Sequence, residues 1–572
     1  MRFRWSLPEP ALNGCAATLA SALGVSPLLA QCLANRGLTE PEGAARFLRP
    51  RLKDLSDPLL LPNMAAAVDR LLLARGRGDC LVIFGDYDVD GVTSVALLLE
   101  TLGALGWKAS HYLPRRLDEG YGLTQEAAEH CLQKYPVQLL LAVDCGSTAA
   151  DTIAWLGHKG ADVIVLDHHQ VSTPPPPALA LVNPRLASPP RPDAEFCSAG
   201  LAFKLAHALL KRLREAGEPA AANLDVRPLL DLVALGTIAD LVPLTGENRI
   251  LASAGLERLS TTRRPGLIAL KAVAQCPSPI GSYEVAFQLG PRLNAAGRLE
   301  DAEDSLRLLL ARDAASALPL AWSLDARNRQ RQAIERAIAG EVMAAVSARL
   351  DRQRDLVIVE GQASWHIGVV GIVASRVVKR FHRPAIILGG DGEMWRGSGR
   401  SIEGFDLAAA LCGCGDLLAR HGGHSMAAGI TARPDQVDPL RRRLNELARL
   451  SLKPEDLEPS LKLDGEVTGA DLTLARLEEL ETLAPTGQGN PPVLWMMRGL
   501  SHRLPPRRMG RENQHAKLRL TDGRAALEAV WWNCGAAAMP EGRFDLAFIP
   551  AINQFKGARS VQLVVLDWRA AP

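Results

Sequence analysis

Residues 80–91 read CLVIFGDYDVDG, an almost unbroken apolar run that ends on three aspartates and a glycine. The same grammar recurs twice downstream, in QLLLAVDCG (138–146) and DVIVLDHH (162–169). Near-continuous hydrophobic runs of five or six residues suit parallel strands buried on both faces. Helical periodicity fills the intervals, at residues 92–105 and 124–134. Strand alternating with helix predicts a doubly wound parallel sheet.

In open α/β sheets ligands bind outside the carboxyl ends of the strands, so these three strand ends should converge on one crevice. It would hold Asp86, Asp88, Asp90, Asp144, Asp167, His168 and His169, and Asp240 in GTIADLVPL follows a helical segment that could reach it. If residues 86–90 stay extended, Asp86, Asp88 and Asp90 share one face. One aspartate after a strand is commonly a turn or cap residue. Three such strand ends beside a His-His pair are better explained by chemistry. Crowded carboxylates raise one another's pKa unless a cation supplies countercharge. Oxygen donors with imidazole and no thiolate favour Mn²⁺ or Mg²⁺ over structural zinc. Cys145 reads as a small packed residue.

The chain has 572 residues, enough for three or four domains, with 47% hydrophobic and 22% charged residues. Net charge is only +2, so a polyanion would be bound by local basic patches. Ten cysteines without a CxxC pair argue against a disulfide scaffold or zinc site and suggest a reducing compartment. The opening MRFRWSLPEP is interrupted by proline and glutamate where a signal peptide needs an apolar run. No segment is long and apolar enough to predict a membrane span. A soluble, cytoplasmic protein is expected, with no GxSxG or P-loop to suggest a serine hydrolase or ATP-driven motor.

Residues 314–350 read as one long charged helix. A second α/β segment follows, with DLVIVEG and PAIIL as strands around the helix VVGIVASRVVKRF, closed by a Gly-rich region at 389–430. After about 455 the pattern becomes short strands, LKLDGEV, AKLRL, LEAVWW, LAFIPAI and SVQLVVLDW, which suits an OB-like β-barrel. Basic residues Arg503, Arg507, Arg508, Arg511, Lys517 and Arg519 lie near Trp531, Trp532, Phe555 and Trp568, a composition suited to single strands. Trp532 and Trp568 would serve equally well in the barrel core. The expected division is an N-terminal helical segment (1–70), a catalytic domain (71–310), a connecting helix (311–350), a smaller α/β domain (351–455) and the barrel (456–572).

The triplet Asp167-His168-His169 resembles the signature of the DHH phosphoesterase superfamily, and DYDVDG (86–91) resembles its RecJ exonuclease branch. GPRLNAAGR (290–298), SWHIGVVGIVASR (364–376), GSGRS (397–401), HGGHSMAAG (421–429) and TGQGNPP (486–492) follow in the order of that branch. Thr486 departs from it, since an aromatic is usual there. The resemblance implies a DHH domain and a smaller DHHA1-type domain joined by the long helix. It implies two Mn²⁺ or Mg²⁺ ions held by Asp86, Asp88, Asp90, Asp144, His168 and Asp240, with Asp144 and Asp88 or Asp90 as candidate bridges. Asp167 would orient a neighbouring imidazole, and His169 would contact the scissile phosphate or assist proton transfer. Candidates for gripping a terminal phosphate are Arg116, Arg298, Ser398, Arg400, Ser401 and His424. Gly397 and Gly399 would let backbone approach it, and Gly422 and Gly423 could line the same cleft. The implied activity is 5′-to-3′ digestion of single-stranded DNA in recombination and repair, by a monomer working with a single-strand-binding protein and a helicase.

Overall fold

The structure, a computed structural model, describes residues 3–9, 12–115, 118–120, 122–191, 195–390 and 392–571. It divides into two compact units, one of Arg49–Arg331 with Ala484–Pro491, the other of the remaining residues. Among the described residues no helix is long and apolar enough to cross a membrane.

The first unit is built on five parallel strands, β1 (Leu81–Gly85), β2 (Ala109–Tyr112), β3 (Leu139–Val143), β4 (Asp162–Leu166) and β5 (Ala180–Val182). Their order is β2-β1-β3-β4-β5. Alternate side chains serve two cores, which is why the strands read as continuous apolar runs. Leu81, Ile83, Leu139, Leu141 and Ile164 face α1 (Met64–Arg77), α2 (Val89–Ala104), α5 (Ser198–Glu215) and α6 (Leu230–Ala239). Val82, Phe84, Leu140, Ala142 and Val163 face α3 (Gln125–Lys134) and α4 (Ala150–His158). Strands β2 and β5 escaped the periodicity because they are edge strands, and ASHY in β2 is only half buried. Helix α1 runs across residue 70, and its Met64, Val68 and Leu71 belong to the core under the sheet. After β5 the chain turns entirely helical, as far as α7 (Gly290–Leu299) and the first part of α8 (Ala314–Arg349). The loop of the TGQGNPP motif packs in this unit: Leu244 N donates to Gln488 O (2.7 Å), and Arg249 Nη2 to Ala484 O (2.8 Å). Thr486 there is half buried.

Helix α8 carries the chain into the second unit. A five-stranded sheet of order β9-β10-β8-β7-β6 is formed by β6 (Ile358–Gln362), β7 (Ala385–Gly389), β8 (Trp395–Arg400), β9 (Arg420–His424) and β10 (Ala427–Ala432). Helix α9 (Val370–Phe381) connects the parallel pair β6 and β7. The glycines of GSGRS lie tight against neighbouring leucines. A Cβ at Gly397 would lie 2.7 Å from Leu388 Cγ, and one at Gly399 would lie 2.6 Å from Leu407 Cδ2. They make room for the protein's own core.

The barrel is closed by β11 (Trp495–Met509), β12 (His515–Thr521), β13 (Ala526–Trp531), β14 (Phe544–Phe555) and β15 (Ala558–Ala570), in the order β11-β12-β13-β15-β14 with β14 returning to β11. Closure removes the exposed sheet edges. Strand β11 went unread because Pro505-Pro506 and four arginines interrupt it. Register shifts beside Leu504 let it accommodate the prolines. LKLDGEV is two short strands, Ser460–Lys462 and Gly465–Glu466, separated by Leu463 and Asp464. Asp464 Oδ2 accepts from Leu494 N (2.8 Å), and Oδ1 pairs with Arg36 (3.1 Å). Helices Leu12–Leu23, Pro27–Asn35 and Pro41–Leu48 share the barrel's core, with Leu19, Leu29 and Leu33 packed in one cluster with Leu480, Trp495 and Phe548.

Candidate metal centre

The strand order reverses between β1 and β3, the place where a doubly wound sheet opens a crevice. Asp86 and Asp144 are the residues that follow these two strands. Residues 86–90 do not remain extended, as the sequence had suggested. Asp86 ends the strand, Asp88 caps α2 and Asp90 already lies in its first turn. Asp88 Oδ1 accepts from the backbone N of Asp90 (2.9 Å) and Gly91 (3.2 Å). The turn is tight enough that a Cβ on Gly91 would stand 2.4 Å from the Asp86 carbonyl oxygen. It is therefore the strand-to-helix turn that brings the three acids together.

Asp90 is directed at the N-terminus of α5, accepting from Ser198 N (2.6 Å) and Ala199 N (2.9 Å). Asp144 has a left-handed backbone, φ +63°, and its Oδ1 accepts from Ser198 Oγ (3.1 Å). Asp240 is the C-cap of α6. His168 Nε2 stands 3.4 Å from Asp144 Oδ1, 3.4 Å from Asp240 Oδ2 and 3.9 Å from Asp90 Oδ2. Donor atoms within 4.8 Å of one another form overlapping groups: Asp86, Asp88 and Asp144; Asp90, His168 and Asp240; and Asp144, Asp167, His168 and His169.

The electrostatics separate the members of this cluster. Burial, followed by the charge of Asp88, pushes the Asp90 carboxyl up to about 6. Burial and the neighbouring carboxylates, Asp90 foremost, push Asp144 and Asp240 well above the ordinary range. Burial lowers His168 to about 4, leaving it neutral despite its acidic neighbours, so these contacts are not ion pairs. Its Nε2 is buried without a hydrogen bond among the described residues. A neutral imidazole nitrogen facing carboxylate oxygens at 3.4 Å sets acceptor against acceptor, unless a proton or cation lies between them. The donor set fits a hard divalent cation.

Asp167 behaves differently. Its Oδ1 accepts from His169 Nδ1 (2.7 Å), His168 N (2.8 Å) and His169 N (3.2 Å), and its Oδ2 accepts from Ser147 N (3.0 Å). Burial would raise this carboxyl, but the hydrogen bond and charge of His169 outweigh it and hold it well below the usual range. The same bond raises His169 against the lowering effect of its burial. Cys145 and Cys197 are buried beside the cluster with thiol pKa values driven upward by burial, as packed residues should be.

Several contributors were not legible in the sequence. Ser198 bonds Asp144 through its side chain and Asp90 through its backbone. Asn183 Nδ2 donates to Ser147 Oγ and to His169 O (both 2.9 Å), and Arg185 Nε donates to His168 O (2.8 Å). Their one signal is the VNPR that closes the short apolar run of β5. Asn294 Oδ1 accepts from Val89 N (3.0 Å), and a Cβ on Gly297 would meet Tyr87 O at 2.7 Å. The NAAGR motif thus braces DYDVDG, with half-buried Arg298 next in the same helix.

The remaining expected phosphate ligands belong to the second unit, except Arg116, which lies outside the described residues. Arg400 Nη1 donates to Ser398 Oγ and Gly399 O (both 2.8 Å). A Cβ on Gly371 would stand 3.0 Å from Ser398 Oγ and 3.2 Å from Arg400 Nη2, so SWHIGVVGIVASR and GSGRS meet here. Ser401 is buried with its hydroxyl donated to Phe405 O (2.7 Å), a loop-closing bond. His424 is exposed at the end of β9, where its Nδ1 accepts from Met426 N (3.3 Å).

In the barrel, Trp532 and Phe555 are 50% and 67% exposed, whereas Trp531 and Trp568 pack on the core. Arg503, Arg507, Arg511 and Arg519 are exposed. Arg508 instead binds the carbonyls of Gly535 and Ala537, and Lys517 pairs with Glu528 (3.0 Å).

Residues 80–237 match the N-terminal domain of the DHH family, 354–450 the DHHA1 domain and 463–567 the RecJ OB domain. The chain is 37% identical to the single-stranded-DNA-specific exonuclease RecJ of Bacillus subtilis, over 99% of this chain and 71% of that protein. It is 35% identical to the Escherichia coli protein of the same name, over 94% and 95%. The crystal structure of Thermus thermophilus RecJ in complex with Mn²⁺ superposes with a TM-score of 0.85 at 31% identity, covering 100% of this chain and 80% of that one. With three domain matches in one order and an acid cluster at the sheet's switch point, the chain belongs to the RecJ family.

Proposed function

We propose that the protein degrades single-stranded DNA from the 5′ end, releasing mononucleotides by phosphodiester hydrolysis that uses two Mn²⁺ or Mg²⁺ ions. The observation that carries this reading is the buried acid cluster around a neutral His168 whose Nε2 makes no hydrogen bond among the described residues. Asp86, Asp88 and Asp144 would hold one ion and Asp90, His168 and Asp240 the other, with Asp144 close to both. Such a pair, when bound, would lower the pKa of water and stabilise charge on the phosphate. Asp167 fixes His169 through Nδ1, which orients the ring for contact with the phosphate or for proton transfer. Ser198 and the α5 amides hold Asp144 and Asp90 in place. The extra charge of a terminal phosphate suits guanidinium and hydroxyl donors, and the candidates are Arg298 in the first unit and, separately, Ser398, Arg400 and His424 in the second. Exposed Trp532 and Phe555 among arginines would stack and track the strand, each stacked base contributing about 1–3 kcal/mol. Action in the cytoplasm in recombination and repair, as a monomer beside a single-strand-binding protein and a helicase, completes the proposal.

Digestion of 5′- and 3′-labelled DNA with Mn²⁺, in single- and double-stranded forms, tests it. Early release of the 5′ label from single strands alone is expected. Intact 5′-phosphorylated single strands would end the assignment.

A further inference from the structure

A cavity of about 300 Å³ opens beside His168. Its wall is made by His168, Pro184, Arg185, Phe196, Val242 and Pro243, with Pro190, Arg191 and Glu195 at its rim. Phe196 and Val242 are buried, while Pro184 and Pro243 are half buried. The volume is at the lower end of small-molecule pockets, about the size needed for one nucleotide.

Of the charged groups around it, Glu195 is exposed, Arg191 pairs with Glu247 (3.7 Å), and the third is Arg185. Asn183 Oδ1 accepts from its backbone N (2.9 Å), and its own Nε donates to the His168 carbonyl (2.8 Å). The guanidinium is therefore anchored at one edge. No other hydrogen bond or ion pair engages its remaining donors among the described residues, and the side chain is exposed. A fork held this way, next to a metal-binding candidate, matches the geometry that favours arginine over lysine at phosphates.

We propose that this cavity is a nucleotide subsite, in which Arg185 grips a phosphate of the strand while Pro184, Phe196, Val242 and Pro243 receive its sugar and base. The inference rests on the exonuclease reading and adds a phosphate ligand contributed by the first unit.

Titration calorimetry with thymidine 5′-monophosphate, thymidine and inorganic phosphate on the full chain in Mn²⁺ tests it. Arg185→Ala should weaken the monophosphate about tenfold to a hundredfold, the range of a charge-assisted hydrogen-bond pair, and leave thymidine unchanged. Arg185→Lys should restore part of that loss, which a purely structural role for the His168 contact would not produce. Val242→Phe, filling the floor, should weaken thymidine and its monophosphate but spare inorganic phosphate. Unchanged Mn²⁺ affinity verifies that each variant keeps its fold, and if Val242→Phe loses it, Arg185→Ala decides alone. Monophosphate binding to Arg185→Ala at wild-type strength overturns the subsite. Wild-type digestion of single strands in parallel separates the two claims. If digestion fails but the Arg185 effect persists, the exonuclease reading falls and the subsite stands; if digestion succeeds without the effect, only the subsite falls.

Discussion

Gly236→Ala should leave the protein folded and nearly inactive. Gly236 lies in α6, one turn before Asp240, where the helix crosses α2 and α5. An added Cβ would stand 2.6 Å from Asp90 Oδ1, 2.6 Å from Ala199 Cβ and 2.9 Å from Thr93 Oγ1. Two of these neighbours are in the hydrogen bond from Ala199 N to Asp90, so neither can yield freely. Overpacking of this kind costs about 1–3 kcal/mol. Alanine recovers about 1 kcal/mol of helix propensity over glycine. The net loss of about 0–2 kcal/mol is small beside a domain stability of about 5–15 kcal/mol. Relief requires α6 to move outward by about an ångström, and Asp240 moves with it. A displacement of about 1 Å at a reacting centre costs about a hundredfold in rate. Initial rates on 5′-labelled single strands at saturating Mn²⁺, paired with thermal melting, would measure both effects. Gly340→Ala is the matched control: this glycine sits exposed in α8 with nothing within 4 Å of the added Cβ, so it should gain stability without losing rate. A Gly236→Ala enzyme within twofold of wild type would refute the claim that the spacing of α6 sets the geometry of the centre.

Asp144→Ala should lose hydrolysis outright while still retarding single-stranded DNA in a gel, because the barrel is untouched. Metal-free protein should melt at a higher temperature as pH falls from 8 to 6.5. Asp144 and Asp240 have raised folded pKa values, so the stability they contribute on protonation is lost as pH rises through those values, and His169 acts in the same sense. His168, lowered to about 4, opposes the trend only below its unfolded value of about 6.5. Saturating Mn²⁺ should flatten that slope in a melting series. In the barrel, Arg507→Ala should lower the slope of log K against log salt by about 0.7 without changing the melting temperature. Arg508→Ala should lower the melting temperature instead, since its guanidinium joins β11 to the carbonyls of Gly535 and Ala537.

Much of this was legible in the sequence because the central strands are buried on both faces. Three apolar runs gave β1, β3 and β4 to within a residue, and the acids following them met at the switch point. What stayed hidden depended on contacts between distant segments. Ser198 lies more than a hundred residues from Asp90, and nothing local marks it as the donor to that carboxylate. The packing of the GSGRS glycines stayed hidden for the same reason, since a missing Cβ reads alike whether it admits a ligand or a leucine. Strand β11 was lost because proline in a strand argues against the assignment until bulges are seen to carry it.

The pattern of satisfied and unsatisfied acceptors distinguishes the roles within the cluster. Asp167 receives four hydrogen bonds from N–H groups, which leave little of its carboxylate for an ion. It is the residue a protein would build to position an imidazole. Asp90 receives two backbone N–H groups at the positive end of an 18-residue helix, a compensation that favours its anion yet leaves burial dominant. Asp144 receives a single hydroxyl, and Asp240 stands at the negative end of its own helix. The dipole there adds to the repulsion from the other acids. A fold seeking only stability would place amides or basic side chains against Asp144 and Asp240. Here a neutral His168, with its Nε2 toward them, is set in that position instead. Asp144 and Asp240 are then neutralised by a proton or by a cation from solution, and cation binding is the step that lets both carry their charge.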